Sequence, residues 1–254
     1  MGMPMVRRIH AAGVQLMVFA RRAEVIDELR ALGISHTQDV QELTASSNIV
    51  EICLLSDPQV DELLYGAGLA AALRPGTVFL SHVTGNPDVY KTLAQRVAPG
   101  VGVLDAPVSG TAIQIANGDL TVLLGGPDKD VQRVTPVLET FSSHVIHCGP
   151  LGDGQRVKLV NNLLFTLNVR FAGEAIRIGE GLGIEQSRLV RAISQCSGRT
   201  WALGLLEHVP FTQFAEGTRR YLDKDVDVVF EVAKGLGVDL GIAGSLAKGS
   251  LSGQ

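Results

Sequence analysis

Up to about residue 148 short β-type runs alternate with amphipathic helical stretches, and beyond Gly152 the β-type runs stop. This change of period constrains the fold more than any other property of the chain. Side chains repeat every two residues along a strand and about every 3.6 along a helix. Residues 14–19 and 49–55 read as strands, and helices are expected over 23–32, ended by Gly33, and over 58–65. Runs at 77–80 and 101–104 flank a helix over 87–97, and runs at 120–124 and 144–147 flank another through Val131 and Val134. Strands alternating with helices of this length imply βαβ units around a mainly parallel, doubly wound sheet. After the change only helical periodicity remains. A long helix over 155–181 carries Val157, Val160, Leu164, Leu167, Phe171, Ala175 and Ile178 at three- and four-residue steps, and further helices follow near 185–196, 201–208 and 218–236. The expected architecture is an α/β domain over 1–150 followed by an all-helical domain over 151–254.

Glycine supports that reading, with 29 among 254 residues against a usual ~7%, as tight βα turns and helix C-caps require. A net charge of −4 with acids and bases interspersed gives no footprint for nucleic acid or a membrane surface. No apolar run approaches the ~20 residues of a bilayer span, and the amino terminus lacks the apolar core of a secretory signal. Cys53, Cys148 and Cys196 are scattered and odd in number. Small buried thiols in a reducing cytoplasm are expected, with no disulfide and no metal site.

Chemistry is concentrated just after the change of period. The glycine-rich run from Gly149 to Gly154 leads into a helix bearing Lys158 and Asn162, four residues apart and so on one face. An ammonium there can give a proton to a carbonyl oxygen, and its neutral form can take one from a hydroxyl. The spacing alone favours an ordinary helix with a solvated lysine.

The company that the pair keeps decides between these. Asp105-Ala106-Pro107-Val108-Ser109-Gly110, followed by Ala116 and Gly118, the 149–154 run with Lys158 and Asn162, the pair Lys224-Asp225, and the opening Met1-Gly2-Met3-Pro4-Met5 stand in order along the chain. Together they resemble the β-hydroxyacid dehydrogenase family, over residues 1 to about 243. The resemblance implies a Rossmann-type α/β domain, a helical substrate and oligomerisation domain, and a homodimer or homotetramer. It implies hydride transfer between a nicotinamide cofactor and a small β-hydroxy or semialdehyde carboxylate. Lys158 would be the general acid/base and Asn162 its partner at the reacting oxygen. Ser109, Gly110 and Thr111 would bind the substrate carboxylate, and Lys224 would close over the nicotinamide end. The cofactor's remaining contacts would be Gly2 and Met3, as the tail of the glycine-rich turn, with Leu55, Ser56 and Thr84.

The choice of cofactor follows from charge. Dinucleotide folds place an acid after the second strand for a ribose 2′-hydroxyl, and an arginine for a 2′-phosphate. Here the segment is Phe19-Ala20-Arg21-Arg22, without a carboxylate. NADP is therefore favoured over NAD, with Arg21 the principal contact and Arg22 beside it; a solvated helix start is the plainer alternative. His82 has no evident partner and is read as incidental, as are His36, His144, His147 and His208, while Trp201 is expected to anchor helix packing.

Three departures from the family pattern stand out. The first strand and the first two glycines of the dinucleotide fingerprint have no residues in this sequence, so the expectation is that it starts roughly ten residues inside the natural reading frame. Losing ~4 buried apolar side chains at about 1.5–3 kcal/mol each would rival a domain's whole stability of ~5–15 kcal/mol. Thr111 stands where the family has a second glycine, a strained site if positive φ is needed. The glycine- and serine-rich end from Gly244 to Gln254 predicts a cut or frayed last helix. Two hypotheses follow: an active NADP-dependent dehydrogenase, or an inactive relative retaining the fold as a binding or oligomerisation module.

Overall fold

In a computed structural model, which describes residues 1–248, the chain divides into Met1–Lys158 and Leu159–Gln254. The first unit runs α1 (Gly2–Ala11), β1 (Met17–Phe19), α2 (Ala23–Ala31), β2 (Ser35–Thr37), α3 (Val40–Ser46), β3 (Ile49–Ile52) and α4 (Asp57–Asp61), which continues into a π-helical turn at Glu62–Gly66. There follow α5 (Leu69–Ala72), β4 (Val78–Ser81), α6 (Pro87–Arg96), β5 (Gly102–Asp105), β6 (Val108–Ser109), α7 (Ala112–Asn117), β7 (Leu120–Gly125), α8 (Asp128–Leu138) and β8 (Ser142–Gly149). Helix α9 (Asp153–Gly181) starts in this unit, and α10 (Gln186–Ile193), α11 (Trp201–Gly204), α12 (Phe211–Leu236) and α13 (Gly241–Ala247) complete the second. The proposed end of the last helix beyond Lys248 lies outside the described residues.

The sheet is in two pieces. Strands β1 and β2 pair in parallel as one, while β3, β4 and β5 run parallel in the other, which continues through β7 to β8. β7 is antiparallel to β5 and β6 along one edge and parallel to β8 along the other. β4 is buried throughout and β7 nearly so, as strands covered on both faces must be. One core packs β4, β5 and β7 against Val131, Val134 and Leu138 of α8, and α1 adds Met5 and Ile9 to it. From the same helix Met3 and Val6 pack against a smaller cluster of Ala20, Ile26, Leu29 and Ile34 beside β1.

Several expectations need correcting. α1 begins at Gly2, so Gly2 and Met3 are its first turn, where a loop was expected. Proline is suited to that turn, whose N–H groups have no helical partner. β1 starts three residues late, at Met17, and β2 was missed because Ser35, His36 and Thr37 carry no apolar signal.

The second unit is helical, as the period implied. Its long helix spans nearly the expected residues, and a second apolar face of it makes the core. Leu159 and Leu163 pack on Val226 and Val229 of α12, Val169 packs on Ala202, Ala215 and Leu222, and Ala172 and Ile176 on Val190, Leu203 and Leu206. Most of the stripe read from the sequence faces outward, with Val160 67%, Leu164 58%, Phe171 56% and Ile178 52% exposed, while Leu167 packs against the Leu159 and Leu163 cluster. Small residues explain the choice: the Phe211 ring lies so close to Gly173 that a β-carbon there would sit 2.4 Å from it. Close helix approach needs a face of that kind.

Candidate active site

β5 delivers Asp105 to its carboxyl end with no exposed surface. One carboxylate oxygen accepts the Gly152 N–H and the other the Gln155 N–H, both at 2.6 Å, so Asp105 caps the first turn of α9 from another element. Burial raises its pKa and the two N–H donors oppose the shift, while the charge of Asp153 adds to it. Gly154 permits this approach: a β-carbon there would stand 2.6 Å from the Leu123 carbonyl oxygen and 2.8 Å from Asp105 Oδ2.

The same turn holds the loop after β4. Gln155, wholly buried, accepts the Gly85 N–H at 3.0 Å through Oε1 and donates from Nε2 to the Val83 carbonyl at 2.6 Å. Asp57 Oδ2 accepts the Asn86 N–H at 2.7 Å, which ties this loop to the one following β3. Leu55 and Ser56 lie in that loop: the Leu55 N–H donates to Gln59 Oε1 at 2.9 Å and Ser56 is the N-cap of α4. Gly2 approaches the same place, its β position 3.8 Å from Cys53 Cβ. Thr84, half-buried, lies between the two residues that Gln155 holds.

Lys158 is buried one turn beyond Gln155 on α9, and Asn162, also buried, is one turn further. In the helical unit Asn162 Nδ2 donates to Asp225 Oδ2 at 2.5 Å, and Asn162 Oδ1 accepts from Asn161 at 3.0 Å. Lys224 Nζ stands 2.9 Å from the other oxygen of Asp225. Asp225 thereby brings together two residues singled out separately in the sequence.

Ser109 ends β6 opposite Thr121. Gly110 has φ 135 and a β position 2.8 Å from Leu120 Cδ1, so it must be glycine. Thr111 is not strained: at φ −115 and ψ 172 it is the N-cap of α7 in a capping box with Gln114. Its N–H is used there, at 2.9 Å from Gln114 Oε1, and its hydroxyl accepts the Gln114 N–H while keeping its own proton to donate.

Arg21 and Arg22 are exposed at the turn from β1 to α2, and Arg22 stands 3.5 Å from Glu24, a carboxylate just past the segment read as lacking one. His82 is not without partners. Its Nδ1 donates to the Ala106 carbonyl at 2.7 Å, Nε2 faces Glu51 at 3.6 Å, and the ring meets Phe141 edge-on. Trp201 is 63% exposed with its ring against Phe165, so it is a poor packing anchor. Cys53 and Cys148 are half-buried and Cys196 is exposed, against the expectation of buried thiols. Among the described residues no three His, Cys, Asp or Glu side chains are grouped to hold a metal ion, and no helix is long and apolar enough to cross a membrane.

Loops at the carboxyl ends of β3 and β4, tied to each other and to the first turn of α9, lie where α/β folds of this class bind dinucleotides. The comparisons agree. The family described as the NAD binding domain of 6-phosphogluconate dehydrogenase matches residues 1–149, and that described as NAD-binding of NADP-dependent 3-hydroxyisobutyrate dehydrogenase matches residues 152–249. The chain belongs to the β-hydroxyacid dehydrogenase family. It is 31% identical to an NAD-dependent L-serine dehydrogenase of Pseudomonas aeruginosa, across 92% of this chain and 82% of that one. It is 30% identical to a 2-hydroxy-3-oxopropionate reductase of Escherichia coli, across 94% and 83%. The structure of a Mycobacterium tuberculosis 3-hydroxyisobutyrate dehydrogenase with L-serine superposes with a TM-score of 0.84 at 26% identity, covering 97% of this chain and 88% of that one. The protein is accordingly an NAD(P)-dependent β-hydroxyacid dehydrogenase.

Proposed function

We propose that the protein transfers a hydride between NADP(H) and a small β-hydroxy acid or the matching semialdehyde carboxylate, with Lys158 as general acid/base. The observation that carries this reading is the buried lysine on a helix whose first turn is bonded to the loop after β4. The residues fit a dinucleotide: the loops bearing Leu55, Ser56 and Thr84 are tied together, and two exposed guanidiniums follow β1. Gly2 and Met3, Arg21 and Arg22, Leu55, Ser56, Thr84 and Lys224 would hold it. The bound cofactor supplies or accepts the hydride.

The protein's part is proton transfer and orientation. In oxidation neutral Lys158 takes the hydroxyl proton as the carbon–oxygen double bond forms; in reduction its ammonium returns that proton to the carbonyl oxygen. Asn162 gives one N–H to Asp225 and keeps the second for the reacting oxygen. Ser109 Oγ and the Gly110 N–H bind the carboxylate. L-Serine heads the candidate substrates, since a relative oxidises it by name and a similar structure contains it. NADP is favoured because an exposed guanidinium pair suits a 2′-phosphate, although Glu24 offsets part of that charge.

The test is turnover of NADPH with a panel of small semialdehydes, and of NADP with L-serine and 3-hydroxyisobutyrate. A folded protein that neither binds nor turns over either nicotinamide cofactor would refute the enzymatic reading. We also propose that a second copy of the chain covers the outward face of α9. Val157, Leu164, Phe171 and Ile178 recur every seven residues there, the spacing by which one helix pairs with another.

A further inference from the structure

We propose that Gln155 is a positioning residue for this reaction: its side-chain amide fixes the backbone on both sides of Thr84 and so registers the cofactor loop against Lys158. The proposal rests on the reading of Lys158 and Thr84 given above. Gln155 has no exposed surface, and both ends of its amide are used, one by the Gly85 N–H at 3.0 Å and the other by the Val83 carbonyl at 2.6 Å. Those partners flank Thr84, so the amide pairs with the loop as a neighbouring strand would. The backbone of Gln155 is held in turn, its N–H given to Asp105 at 2.6 Å. One residue therefore joins the carboxyl ends of β4 and β5 to the helix turn that leads to Lys158 three residues on. Only a side chain with one donor and one acceptor at this reach satisfies both groups; an ionised carboxylate lacks the donor, and a thioether has no donor and only a weak acceptor.

Two variants and three readouts test this. Gln155→Met keeps length and loses both bonds. It should lower kcat by about 10²-fold, the cost of roughly 1 Å of misplacement, and weaken NADPH binding in fluorescence titration. It should also speed amide exchange at Gly85 in the cofactor-free protein. Gln155→Glu still accepts the Gly85 N–H, so exchange there should stay slow. Its ionised carboxylate repels the Val83 carbonyl, and only its protonated form can donate. Asp57 and Asp105, the acids bonded to the same loop and helix turn, favour that protonated form, as burial does, while the Lys158 ammonium one turn along α9 opposes it. The ratio of its kcat to that of the wild type should therefore rise as pH falls. Wild-type kcat and unchanged Gly85 exchange in Gln155→Met would overturn the proposal. So would a ratio for Gln155→Glu that stays far below one at every pH, which also decides the matter if Gln155→Met does not fold. A wild-type protein without turnover would sink the functional reading instead, while the exchange measurements would still report on the amide bridge.

Discussion

Asp105 shows what one buried acid can organise. Its charge is met by two backbone donors of α9, and those donors define where the helix begins. Asp105→Asn keeps the shape but turns an NH₂ toward one of the N–H groups. It should cost about 1–3 kcal/mol in chemical denaturation. The sign with pH is fixed by the raised pKa. The folded state holds the proton more tightly than the unfolded one, so this group's contribution is greatest at low pH and declines as pH rises through its folded pKa. The stability gap between wild type and Asp105→Asn should narrow over that rise, and a widening gap would contradict the assigned cause. On the proposed mechanism Lys158→Ala should abolish most turnover while nearly preserving cofactor affinity in titration, and an equal loss of both would remove its role. Arg21→Ala should raise KM for NADP with little change for NAD, an effect that shrinks at high salt. At this scale the sequence was partly legible. Lys158 and Asn162 stood out by spacing, yet Gln155 did not, since its partners lie about seventy residues earlier in the chain and only folding brings them near.

Among the elements, those with one unbroken signal were the easiest to read. β4 and β7 are continuous apolar runs and appeared nearly where the structure has them, whereas β2 has only Ser35, His36 and Thr37 to declare it. For α9 the period gave the span within a few residues but not the face, because apolar residues line both sides. Number and size of side chains favoured the outward stripe; fit against Phe211, Val226 and Val229 favoured the other. The proposed pairing of that stripe predicts that Leu164→Glu with Phe171→Glu lowers the sedimentation coefficient to that of a monomer and leaves helix content intact. An unchanged coefficient would remove α9 from the interface. At its start, Gly154→Ala should destabilise the protein by about 1–3 kcal/mol through overpacking, read as a fall in Tm.

For the molecule as a whole, the order of an α/β unit before a helical one was plain from the change of period, while the structure divides the chain after Lys158 and not near residue 150. β1 lends Phe19 to the core that holds Val50, Phe79 and Tyr90, so side chains seat the turn bearing Arg21 and Arg22 against the larger sheet. Saturating NADP should then slow hydrogen exchange in β1 and β2, and unchanged exchange there would remove the two arginines from the cofactor's reach. The adenosine end of the cofactor would in that case be gripped by a surface whose firmness is borrowed from the neighbouring core.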